Sequence, residues 1–142
     1  MNRTTLTSTP PRWLMILAVL LAITAVFPFG WLEGYWPALR YVMNHFFSSE
    51  MAHVIGHFML MGSVGAAVLA VFPRLLRHPV GYLTIMLAFG LSQEALQLWS
   101  YKKRPFMGGE FFDIAVDLVG AVAIFALFRM MAARQEGSDG NG

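Results

Sequence analysis

Residues 50–72 read "EMAHVIGHFMLMGSVGAAVLAVF", a run that begins with one glutamate and stops at Pro73. At about 1.5 Å of rise per residue such a run is about 35 Å long as a helix, enough for a hydrocarbon layer about 30 Å thick. Its only titratable side chains, Glu50, His53 and His57, recur at spacings of three and four. Those spacings share one helix face. The stretch therefore predicts a membrane-type helix with a polar stripe confined to its first two turns.

Working outward, three further apolar segments of comparable length stand at roughly residues 13–29, 79–99 and 111–128. The 142 residues are 57% hydrophobic and 13% charged, against about 25% charged in an ordinary soluble domain, and the mean hydropathy is +0.58. These features predict an all-α fold, an integral membrane four-helix bundle formed as one unit. Residues 1–12 are expected as a cytoplasmic segment, 13–129 as the helical membrane domain, and 130–142 as a flexible cytoplasmic tail. An interfacial, partly helical loop is expected at residues 30–49, between helices 1 and 2. It carries Trp31, Tyr35, Trp36, Tyr41, Phe46 and Phe47, residue types that sit at headgroup level. Arg3 and Arg12 ahead of the first apolar run also fit a signal peptide, but no small-residue cleavage pattern follows it.

Charge placement predicts orientation. Arg3, Arg12, Arg74, Arg77, Arg129 and Arg134 fall on the side of the termini, against Arg40, Lys102, Lys103 and Arg104 opposite. The excess places both termini in the cytoplasm. Basic residues in short loops beside apolar runs, with no nucleic-acid motif, argue against nucleic acid as a partner. The absence of cysteine excludes disulfides, thiolate nucleophiles and thiolate metal sites.

The polar stripe of residues 50–57 has two counterparts. Glu110, Asp113 and Asp117 repeat its spacing at the start of the fourth segment, and Gly90, Gln93, Glu94, Gln97 and Tyr101 share a third of the circumference at the end of the third. In an alternating four-span chain these three ends lie on one side of the membrane. Ionisable groups at such depth cost about 2.5–3.5 kcal/mol each on insertion scales, so they face the bundle and pair. Three uses follow from these residue types. They can staple helices, with His53 and His57 bonded to Asp113 or Asp117 and a basic residue closed over Glu94 or Glu110. Two histidines four apart with facing carboxylates also suit a borderline divalent cation, although no second-helix Glu-x-x-His pair supports one. Finally, Lys102, Lys103 and Arg104 can hold an anionic headgroup while His57 and Glu94 move protons.

Two signatures within the chain resemble the VanZ-like family of small bacterial membrane proteins. One is "IGHF" at residues 55–58; the other is "GLSQEALQLWSYKKRPFMGGEFFDIAVDLVG" at residues 90–120. The resemblance aligns family positions with His57, Gly90, Glu94, Gln97, Arg104, Asp113, Asp117 and Gly120. It departs at His53 and Val54, where an Asp-Lys pair is common, at Met61 in place of tyrosine, and at Asp117 in place of asparagine. It implies a multi-pass, envelope-associated protein of the bacterial inner membrane, in a family named for an accessory protein that lowers susceptibility to teicoplanin. No reaction is implied.

The expected site is a polar helix mouth that binds an anionic lipid-linked or peptide ligand through His57, Glu94, Gln97, Arg104, Asp113 and Asp117. His53, Gln93 and Glu110 support it. Membrane lipids and a lipid-linked envelope precursor are the expected partners, and neither a cofactor nor a metal is assigned. The alternatives are a membrane-embedded enzyme acting on lipid-linked headgroups, metal-assisted or with His57 or Glu94 as acid or base, and a structural assembly partner.

Overall fold

The computed structural model describes residues 10–46, 49–102, 105 and 107–139. Among these the protein is all-helical, with no strand. Its elements are α1 (Arg12–Val26), α2 (Phe29–Glu33), α3 (Pro37–Phe46), α4 (Glu50–Val71), α5 (Pro79–Gln97) and α6 (Gly108–Asp139). A 3-10 turn, Pro73–Arg77, joins α4 to α5, and a π turn, Leu98–Lys102, extends α5. By length and composition α4 and residues Gly108–Gln135 of α6 are long and apolar enough to cross a membrane. Each of the four apolar segments expected from the sequence contains the greater part of a long helix.

Prolines and caps explain most boundaries. The first apolar run was expected to stay continuous to residue 29, but α1 stops at Val26 and Phe27 turns extended, with ψ at 128°. The cause is Pro28, whose ring disfavours helical geometry in the residue before it. The α4 helix starts where Ser49 Oγ accepts the Ala52 N–H at 3.1 Å, an N-cap bond, and it ends ahead of Pro73. Pro79 opens α5 at a position where its missing N–H costs nothing. Gly108 and Gly109 form the first residues of α6. There Glu110 Oε2 accepts the Met107 N–H at 2.9 Å, one half of a capping box. The helix then runs past the last apolar residues to Asp139, through Ala132, Ala133, Arg134 and Gln135, all strong helix formers.

The long helices close a ring. The α4–α6 pair is the most extensive contact; α1 lies along α4, α5 lies along α6, and α1 meets α5. Ala25, Met61, Val64, Leu69, Tyr82, Met86 and Ala121 fill the centre. Two glycines set the spacing. A Cβ at Gly120 would stand 2.5 Å from the Phe58 carbonyl oxygen, so α4 and α6 touch backbone to backbone there. A Cβ at Gly65 would collide with Tyr82 Oη, which donates to the Ala121 carbonyl at 3.0 Å. These are the close approaches expected of small residues between apolar helices. At the end away from the polar stripes, Arg129 Nη1 donates to the Leu76 carbonyl at 3.0 Å.

Candidate functional site

The polar ends of α4, α5 and α6 meet at one end of the ring. On the α4–α6 seam His57 Nδ1 lies 3.0 Å from Asp117 Oδ1, both residues being buried. One turn nearer the end, His53 Nε2 lies 3.5 Å from Asp113 Oδ2. The matched spacing of the two helices produces this ladder, because residues four apart on each helix face their counterparts across a parallel or antiparallel seam. On the α5–α6 side Lys102 Nζ lies 3.2 Å from Glu94 Oε2 and 3.2 Å from Glu110 Oε1. Glu94 and Glu110 are 0% and 1% exposed, so this ammonium compensates two carboxyl groups packed within the protein.

Packing continues tightly into this region. A Cβ at Gly90 would lie 3.2 Å from Asp117 Oδ2, so the absence of a side chain on α5 makes room for the aspartate of α6. Three buried acceptor atoms, Gln93 Oε1, Glu94 Oε1 and Asp117 Oδ2, have no hydrogen-bond partner among the described residues. A buried polar atom without a partner costs about 1–3 kcal/mol. The cluster therefore carries more acceptor capacity than its own donors satisfy.

A cavity of about 390 Å³ adjoins this cluster. Phe27, Phe29, Leu39, Met43 and Leu60 supply its apolar wall, and His53, His57, Gln93 and Gln97 line its polar part. The break at Pro28 matters here, because it releases the chain from α1 and lets α2 and α3 fold over the ends of the long helices. Arg40 ties that cover together, donating from Nε to the Glu33 carbonyl and from Nη2 to the Gly34 carbonyl, both at 3.2 Å.

Of the expected site residues, His57, Glu94, Asp113 and Asp117 come together in the cluster, as do the supporting His53, Gln93 and Glu110; Gln97 lines the cavity. Arg104 lies outside the described residues, as does Lys103. Glu50 shares the stripe with His53 and His57 but is exposed at the first helical position. Of the uses open to the basic run, Lys102 takes the stapling one, closed over Glu94 and Glu110. Sequence reasoning missed the cavity wall contributed by α1, α2 and α3; the proline after Phe27 and the amphipathic pattern of residues 37–46 were the available signals. No metal was assigned from sequence, yet one ligand atom from each of His53, His57 and Asp113 lies within 4.8 Å of the others.

Comparison of the chain with models of known protein families, with functionally characterised proteins and with solved structures finds no match.

Proposed function

We propose that the chain is a four-span bundle of the bacterial inner membrane, VanZ-like in type, whose cavity receives the polar head of a lipid-linked envelope precursor. The observation that carries this reading is the cavity itself. Its apolar wall ends in two histidines and two glutamines, and its volume falls within the roughly 300–1,000 Å³ usual for small-molecule pockets. An amphiphile has the same division: a chain for Phe27, Phe29 and Leu60, and a head bearing hydroxyl, amide or phosphate groups for the polar part.

The membrane setting draws support from what the protein leaves uncovered. Only 22% of the apolar stretch of α6 is buried inside the protein, whereas the core helix of a soluble protein hides its apolar face. Trp13, Ile16, Val19, Leu20 and Ile23 of α1 are all more than half exposed, far beyond the scattered apolar residues a soluble surface tolerates. With 15 residues α1 is about 22 Å long, a mismatch that local bilayer thinning accommodates. Arg74, Arg77 and Arg129 at the end away from the cavity favour cytoplasmic termini. In this reading the basic residues Lys103 and Arg104 supply counter-charge to the head, since Lys102 already serves Glu94 and Glu110.

The test is native mass spectrometry of the chain extracted with its own lipids, beside a Met43→Trp variant that fills the half-buried cavity wall. A lipid-linked species bound to the wild-type chain and lost from a variant of unchanged helical circular dichroism is the expected result. Equal spectra for the two would refute the cavity as the binding site.

A further inference from the structure

We propose that His53, His57 and Asp113 form a binding site for a divalent cation of the zinc type. The donor set is the first argument. Two imidazoles and one carboxylate match zinc's preference, whereas magnesium and calcium take oxygen ligands. One ligand atom from each residue lies within 4.8 Å of the other two. The His53 Nε2 to Asp113 Oδ2 separation of 3.5 Å is long for a charge-assisted hydrogen bond, which runs about 2.7–2.9 Å. It is close to the distance of about 3.3 Å between two ligands on a tetrahedral zinc with bonds of about 2.0–2.1 Å.

The surroundings supply what such a site needs besides ligands. The Nδ1 atom of His57 is engaged by Asp117 Oδ1 at 3.0 Å, and a carboxylate on one ring nitrogen is the usual device that orients a metal-bound imidazole and leaves the other nitrogen to the ion. Both elements of the site are rigidly related, because α4 and α6 touch at Phe58 and Gly120, one residue beyond His57 and three beyond Asp117. The side chain of His53 is 48% exposed, which gives an ion a way in. Three protein ligands leave one coordination position unfilled. His53 and His57 both line the cavity, so the ion sits at its wall and can present that position to a guest. This site does not depend on the lipid reading: an ion can bind whether or not an amphiphile does.

The experiment is a titration of the full chain, in detergent and freed of metal by a chelator, first with Zn²⁺ by calorimetry and then with Co²⁺ by visible absorption. No lipid is added, so failure here and failure of the proposed function are separately visible. One Zn²⁺ per chain and the visible bands of tetrahedral Co²⁺ are expected. His53→Ala and Asp113→Asn should each weaken Zn²⁺ binding by more than the roughly 10–100-fold that loss of an outer-shell partner costs, and Asp117→Asn should fall within that range. The half-exposed His53 carries the decision, since removing it leaves the buried His57–Asp117 pair intact and the variant's fold can be checked by circular dichroism. Absence of stoichiometric binding to the folded wild-type chain would overturn the proposal. So would undiminished affinity in both His53→Ala and Asp113→Asn.

Discussion

Replacing Gly120 by alanine tests the backbone contact on which the polar ladder depends. The new Cβ would lie 2.5 Å from the Phe58 carbonyl oxygen and 3.3 Å from its Cα and carbonyl carbon. Ordinary contact begins near 3.4 Å, so the shortfall at the oxygen is about 1 Å, and a main-chain carbonyl has no rotamer by which to retreat. The helices must part by a comparable distance. Overpacking of this kind costs about 1–3 kcal/mol, while exchanging glycine for alanine inside a helix returns about 1 kcal/mol. A net loss of up to about 2 kcal/mol is expected for Gly120→Ala, and a larger one for Gly120→Val. At about 2–4 °C per kcal/mol for a chain of this size, thermal unfolding followed by circular dichroism in one detergent resolves it. Gly108→Ala is the control: a Cβ there meets nothing within 4 Å, so its midpoint should match or exceed that of the wild type. The reasoning fails if Gly120→Val unfolds at or above the wild-type temperature.

Two further outcomes follow from the same structure. Lys102→Met leaves the buried Glu94 and Glu110 without their shared ammonium; breaking a buried pair costs about 3–5 kcal/mol, and with the Lys102 side chain 19% exposed about 1–3 kcal/mol is expected. Adding Glu94→Gln should restore part of the loss, and an unfolding midpoint for Lys102→Met equal to that of the wild type would count against the bridge. Gly65→Ala should destabilise by driving a methyl into Tyr82 Oη, and Tyr82→Phe should cost about 0.5–1.5 kcal/mol through its bond to the Ala121 carbonyl. The double variant should be less destabilised than the sum of the two by about 1 kcal/mol, as neighbours in contact are; strict additivity in a double-mutant cycle would contradict the collision.

The helical class and the convergence of three polar stripes were legible because apolar length and spacings of three and four survive any detail of packing. That His53 and His57 would face Asp113 and Asp117 could be expected on those grounds alone. Which histidine meets which aspartate could not, since it requires the axial register of α4 on α6, which Gly120 and Phe58 set through space. That a basic residue would close over Glu94 or Glu110 was legible too, but only the π turn carrying Lys102 brings one ammonium to both carboxylates. The cavity depends on the Pro28 break and the return of α3, a tertiary arrangement that local propensity does not specify.

The contact between Gly120 and Phe58 has an implication for how the chain tolerates change in length. One residue inserted into α4 between His57 and Gly65 turns everything beyond it by about 100°, so the small face at Gly62 and Gly65 and the histidine face could no longer both meet their partners. An insertion near residues 34–36, between α2 and α3, shifts neither helix of the ladder and needs only a slightly longer loop, whose entropic cost rises slowly with length. Length variation should thus be sharply excluded from α4 and the first half of α6, and absorbed in the cover that closes the cavity. The size of the cavity could then change without disturbing the polar residues that line it.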